Sequence, residues 1–310
     1  MDSTNNFPIF METPELHLHL PIAHAVMRTE VDMLLDGHAG SRSISTYFAG
    51  RTQHEGAVKQ DLLPLLVYEA LGAEARSRSL PLVVAWALNL AAAHLVDEAQ
   101  DQGKIDNVHH SLLAMGAAGL SMAELDVDEH TLRDLLEAMN RVTMLAVEGQ
   151  RDEWKQGRLW CKEAYFRAVA GKSAAIIAAG VWLGGRLVTS DSAVLTALKE
   201  FGLALGMAIQ ISDDYLDLAE DLQNGTFTLP VIEGLDLTDH KAHKTLVQML
   251  SQPALSPGEA QHVMSMLAEM GVMASCHRII RAYQIQAAAA FVPFPGLEVY
   301  FNDYVTASEH

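Results

Sequence analysis

The chain has 310 residues, half of them hydrophobic and only 6% aromatic, enough apolar content for a sizeable core whose Ala, Leu and Met favour helix over sheet. Its 21 Lys and Arg against 39 Asp and Glu leave a formal charge of −18, which argues against nucleic acid and anionic membrane surfaces as partners, since both need positive surface. With Cys161 and Cys276 as its cysteines, it has neither a disulfide framework nor a cysteine-based metal site.

The opening stretch MDSTNNFPIF carries an acid and a proline where a signal peptide would carry Lys or Arg and a long apolar run. An N-terminal arm over 1–14 and a cytoplasmic, reducing location are therefore expected. From there on the apolar residues recur at i, i+3 and i+4. The spacing predicts helices over about 15–36, 55–72, 80–101, 107–122, 129–156, 161–186, 191–221, 239–251, 257–270, 272–290 and 297–306. Breaks fall at DGHAGSRS, GLSMAELDVDE, NGTFTLP and VPFPG. The most apolar run, SAAIIAAGVWLGG, is too short to span a bilayer, so no stable membrane insertion is expected. No alternating strand pattern and no low-complexity linker interrupts the series. The fold expected is all-α, a single-domain helical bundle over 15–310.

Two of these helices end in concentrated negative charge. AAAHLVDEAQD closes one with Asp97, Glu98 and Asp101, and QISDDYLD closes another with Asp213, Asp214 and Asp217. On a helix, i and i+4 share a face, so Asp97 pairs with Asp101 and Asp213 with Asp217. Such pairs repel by a few tenths of a kcal/mol, which oxygen-bound Mg²⁺ would offset. Both clusters cap long apolar helices, LPLVVAWALNLAAAHLV and LKEFGLALGMAIQIS. An apolar shaft with a metal-binding rim suits a hydrocarbon tail with a diphosphate head, that is, an isoprenoid diphosphate.

At these residues the chain resembles the trans-isoprenyl diphosphate synthases, the polyprenyl synthetase family, which carry two DDxxD-type motifs on facing helices of an all-α bundle with a central apolar pocket. The first motif is matched by Asp97, Glu98 and Asp101, with Glu in place of the second Asp. The second is intact as Asp213, Asp214 and Asp217, preceded by Gln210. EGQRD resembles the family's GQxxD with Gly149, Gln150 and Asp152, one residue short in spacing. Lys172 and Ser173 stand where the family has Lys-Thr, and FTLPVI at 227–232 matches the stretch after the second motif. The resemblance implies three Mg²⁺ ions around a diphosphate that also takes donors from Lys172, Gln210 and Lys104, and a homodimer.

The departures shape the expected activity. Aligned on Pro64, VKQDLLP places Gln60, Asp61 and Leu63 where the family's GKRxRP has basic residues for isopentenyl diphosphate, and Lys59 falls out of register. The expectation is a class I terpene synthase that ionises an allylic prenyl diphosphate and cyclises or eliminates the cation. A prenyl diphosphate synthase or prenyltransferase with an altered acceptor site, and a non-catalytic subunit of a prenyl synthase, are the competing readings. The pocket is expected to be lined by Ala92, Ala93, Asn89, Trp86, Gln150, Phe166 and Tyr215. Trp86 lies about 16 Å up the helix from Asp97, room for a farnesyl or geranylgeranyl chain.

Overall fold

The computed structural model describes residues 13–156, 161–238, 241–252 and 254–306; the expected arm lies, up to residue 12, outside the described residues. In chain order the helices are α1 (Thr13–Leu34), α2 (Ser41–Arg51), α3 (Glu55–Asp61), α4 (Leu63–Ala70), α5 (Arg76–Asp101), α6 (Asp106–Ala123), α7 (Glu129–Gln156) and α8 (Lys162–Val169). A π turn over Ala170–Ala174 leads into α9 (Ala175–Val188) and α10 (Ser192–Leu216). Then follow α11 (Leu218–Asn224), α12 (Leu229–Asp236), α13 (His243–Leu250), α14 (Pro257–Glu269), α15 (Val272–Phe291) and α16 (Pro295–Thr306). No strand occurs among the described residues, and the all-α expectation holds.

Four local differences from the periodicity have physical causes. No helix was expected between the break DGHAGSRS and residue 55, yet α2 forms there, with Ile44 and Phe48, one turn apart, buried to 0% and 1%. The helix expected over 55–72 divides at Leu62. Pro64 has no N–H for the Gln60 carbonyl four residues earlier, and the Trp86 indole N–H bonds that carbonyl instead at 2.8 Å. The helix expected over 191–221 breaks at Asp217, whose φ of −90° and ψ of 7° leave the α region. Helix α12 was expected as loop, but Pro230 stands in its first turn, where a missing N–H costs nothing.

The chain forms two compact units. The first comprises Met1–Thr143, Ala179–Lys199 and Phe291–Asn302; the second comprises Met144–Ala178, Glu200–Ala290 and Asp303–His310. In the first, α5 packs most extensively against α6, and Met27, Phe48, Leu62, Leu66, Trp86 and Leu88 are fully buried. In the second, the core gathers Tyr165, Met207, Ile211, Leu218, Phe227, Leu229, Val263 and Cys276.

Three helices, Arg76–Gln100, Lys162–Val188 and Ser192–Leu216, are long and apolar enough by length and composition to cross a membrane. A test for uninterrupted apolar residues misses them. Much of each is covered by protein: Trp86, Leu88, Val181, Leu198 and Phe201 are all buried to 1% or less.

Candidate functional site

The first carboxylate cluster ends α5. Asp97 is half-buried there, and the side chain of Asp101 lies outside the described residues. Glu98 is committed to its own neighbourhood: the Lys104 ammonium reaches one oxygen at 2.8 Å and the Asn107 amide donates to the other at 2.9 Å. The Lys104 hydrogen bond, more than any other influence, holds the Glu98 carboxyl below its usual range. Glu98 and Lys104, expected as metal ligand and diphosphate donor, thus bond to each other and fasten the turn between α5 and α6. Asn107 was missed because nothing in its spacing marks it.

The expected pocket wall on α5 is only partly interior. Ala92 is buried, whereas Ala93 and His94 are exposed, so adjacent alanines face opposite ways. Trp86 belongs to the core of the first unit. Asn89 donates to the Ala85 carbonyl of its own helix at 2.9 Å rather than bridging to another helix.

In the second cluster the three aspartates divide. Asp213 and Asp217 are exposed, and the Asp217 N–H still bonds the Asp213 carbonyl at 2.8 Å, which keeps them one turn apart. Loss of surrounding water, then repulsion from Asp217 and Asp214, pushes the Asp213 carboxyl up to about 6. Asp214 is buried and accepts hydrogen bonds at both oxygens, from the Tyr165 hydroxyl at 2.5 Å and the Gln210 amide at 2.8 Å. Gln210, expected as a diphosphate donor, bonds Asp214 through its amide, and Asp214 is buried where its two neighbours are exposed.

Asp221 extends the row one turn beyond Asp217 and was missed, although the i+4 spacing was there to read. Burial is the main influence on it; the Thr228 hydroxyl at 3.1 Å opposes it, and the nearby acids add to it, leaving the carboxyl pushed up to about 7. Thr228 begins FTLPVI's helical part, so that stretch is tied to the acidic row through its hydroxyl.

Lys172 is half-buried in the π turn. A Cβ on Gly149 of α7 would lie 3.1 Å from the Lys172 Cβ, and one on Gly206 of α10 would lie 2.6 Å from the Ala174 Cα. Two glycines thus let flanking helices grip the turn that carries Lys172, and a widened turn of this kind often marks functional positions. The Gly149 contact joins two of the motif pieces read in the sequence; the side chains of Gln150 and Asp152 lie outside the described residues. Phe166 stacks edge-on to Tyr165 at 5.4 Å, and Tyr215 lies 4.6 Å from the His277 ring; both aromatics pack on the core of the second unit.

No group of three or more His, Cys, Asp or Glu side chains among the described residues could hold a metal by itself. The donor chemistry still suits Mg²⁺, which takes one or two carboxylates and completes its shell from water and phosphate oxygens. Asp213 and Asp217 are such a pair.

The segment aligned with the missing basic motif is not without cations. Asp61, fully buried, accepts from Arg51 Nε at 2.9 Å and lies 3.0 Å from His24 Nε2; Arg51 Nη2 also reaches the Gln60 side chain at 3.2 Å. Helix α2, absent from the sequence reading, brings this guanidinium in. Lys59 is buried and paired with Glu55 at 2.8 Å.

An all-α chain carrying acidic motifs at helix ends is the architecture of isoprenoid synthases. The family model for polyprenyl synthetases matches residues 102–267, and the chain belongs to that family. It is 30% identical over 100 residues to the short-chain isoprenyl diphosphate synthase of Methanothermobacter thermautotrophicus, covering 29% of this chain and 31% of that one. To the geranylgeranyl diphosphate synthase of Mycobacterium tuberculosis it is 27% identical over 140 residues, covering 42% and 40%. The chain thus spans about a third to under a half of the length of these relatives. Its fold matches geranylgeranyl pyrophosphate synthetase from Pyrococcus horikoshii (TM-score 0.81, 20% identity, 95% of this chain and 99% of that one). It matches decaprenyl diphosphate synthase from Rhodobacter capsulatus equally (TM-score 0.81, 18% identity, 96% and 100%).

These similarities overturn the expectation of a terpene synthase. These relatives and structural neighbours are named as prenyl diphosphate synthases. The expectation rested on reading basic residues from linear register alone.

Proposed function

We propose that this protein is a prenyl diphosphate synthase that transfers an allylic prenyl group to isopentenyl diphosphate. The observation that carries this reading is the second cluster, in which Asp213 and Asp217 stand open and one turn apart inside the region matched to the family. In the reaction the allylic C–O bond breaks and diphosphate leaves with the electron pair. The isopentenyl double bond supplies electrons to the allylic carbon, a C–C bond forms, and a proton is lost. Bound Mg²⁺ supplies Lewis-acid stabilisation of the leaving diphosphate. Asp213 and Asp217 would hold that ion, Asp97 and Asp101 are assigned to metal by resemblance alone, and Lys172 would donate to diphosphate oxygens. Membrane insertion has no part in this reading, which is supported by the protein cover over much of the three long apolar helices.

The test is incubation with Mg²⁺, labelled isopentenyl diphosphate and geranyl, farnesyl or geranylgeranyl diphosphate in turn. Longer diphosphates are expected from at least one of them, and Asp213→Asn should slow their formation roughly 10²–10³-fold. Diphosphate release without any elongated product would overturn the reading.

We also propose a homodimer formed through α6. Between Asp106 and Glu124 this helix carries no Asp, Glu, Lys or Arg, in a chain of charge −18. Ile105, Val108, Leu112, Met115 and Leu120 are exposed along it, and the Cβ positions of Gly116 and Gly119 meet nothing within 4 Å.

A further inference from the structure

Asp214 lies between an exposed carboxylate before it and another one turn on, yet it is only 8% exposed. Its Oδ2 accepts from the Tyr165 hydroxyl at 2.5 Å and its Oδ1 from Gln210 Nε2 at 2.8 Å. Gln210 stands one turn earlier on α10, while Tyr165 comes from α8 and is 4% exposed. Hydrogen bonds to a buried carboxylate are short and strong, and burial with a donor on each oxygen turns Asp214 away from the solvent that its neighbours Asp213 and Asp217 meet. Burial and the charge of Asp214 keep the Tyr165 phenol protonated, so it donates at every working pH.

The place of this anchor in the helix matters. Asp213 and Asp214 occupy the last turn of α10, which stops at Leu216; the Asp217 N–H bonds the Asp213 carbonyl at 2.8 Å and the Thr228 hydroxyl reaches the Asp214 carbonyl at 3.5 Å. Successive residues on a helix are 100° apart, so pinning Asp214 inward fixes the roll that turns Asp213 and Asp217 outward.

We propose that Asp214 ligates no metal and is the internal anchor of the cluster, with Tyr165 as the positioning residue that sets how Asp213 and Asp217 meet Mg²⁺ and diphosphate. The proposal rests on the prenyl diphosphate synthase reading for the identity of that ligand.

It is tested on the full chain by calorimetric titration of Mg²⁺ in the presence of inorganic diphosphate, alongside the Mg²⁺ dependence of elongation. Asp214→Asn keeps both hydrogen bonds once the Gln210 amide turns over, so its diphosphate binding should stay within about threefold of the unmodified chain. Tyr165→Phe keeps the ring and loses the donor. It should raise the Mg²⁺ half-saturation about tenfold, with kcat at saturating Mg²⁺ nearly unchanged.

If Asp214→Asn loses binding as fully as Asp213→Asn does, Asp214 is a ligand and the proposal fails. A Tyr165→Phe protein with a lower melting temperature but an unmoved Mg²⁺ requirement would reduce Tyr165 to packing and also overturn it. Binding that follows the expected pattern, without elongation of any allylic diphosphate, sinks the synthase reading and leaves this one standing. An unmodified chain that binds no Mg²⁺-dependent diphosphate sinks both.

Discussion

At Asp213 the carboxylate is crowded by the like charges of Asp217 and Asp214, and this has a consequence for stability as well as for binding. An ordinary Asp loses its proton near 3.8, whereas Asp213 in the fold holds it to about 6, and Asp221 holds its own to about 7. Below the unfolded value both states are protonated and nothing is lost. As pH rises, the unfolded chain releases these protons first, so the folded state binds more of them and stability falls with increasing pH. In the absence of divalent cation the melting temperature should therefore decline between about pH 4 and 7, more steeply than in an Asp213→Asn/Asp221→Asn double variant. Mg²⁺ with inorganic diphosphate should remove most of that difference by neutralising the row. Equal slopes in the two proteins, read by circular dichroism melts, would mean that the carboxyls are not crowded as described.

At the scale of elements, the grip on the π turn makes two glycines behave differently. A methyl group on Gly206 would meet backbone, the Ala174 Cα at 2.6 Å, which cannot swing aside. Gly206→Ala should cost about 1–3 kcal/mol in urea unfolding, despite the better helix propensity of Ala. On Gly149 the methyl would meet the Lys172 Cβ at 3.1 Å, which can shift by a few tenths of an ångström. Gly149→Ala should leave the urea midpoint nearly unchanged and weaken Mg²⁺-dependent diphosphate binding, because the shift moves Lys172. A loss of stability equal to that of Gly206→Ala would show that the contact is structural only. The glycines themselves were visible in the sequence, but their neighbours were not. Apolar spacing revealed most of the helices, since a buried stripe repeats every 3.6 residues. It missed α2, where two buried side chains suffice, and it ran through Leu62 and Asp217, where backbone hydrogen bonding changes without any change in period. The acidic motifs were legible as residue types. Which of their members faces water was not, because Tyr165 and Asn107 come from other helices and share no spacing with Asp214 and Glu98, the acids they bond.

For the whole molecule the open question is what covers α6. A protein of charge −18 repels its own copies, so self-association needs a surface on which that repulsion is locally weak. Helix α6 offers one, with Ile105, Leu112 and Leu120 exposed to 70%, 63% and 64% and no Asp, Glu, Lys or Arg between Asp106 and Glu124. Burying such side chains against a second copy contributes about 1.5–3 kcal/mol each at full burial, and open glycines let two helices approach closely. Because each copy presents the same stripe, the contact can close by a two-fold axis without extending into a fibre. The dimer should therefore be held by apolar contact against long-range repulsion, and added salt should tighten it by screening that repulsion. Light scattering coupled to size exclusion should report a dimer for the unmodified chain, at least as stable in 0.5 M as in 0.05 M NaCl by order of magnitude. Leu112→Glu, which puts opposing carboxylates into the stripe, should give a folded monomer with an unchanged helical spectrum. A dimer that dissolves in salt would point to ion pairs elsewhere, and a dimer that survives Leu112→Glu would place the interface on another face.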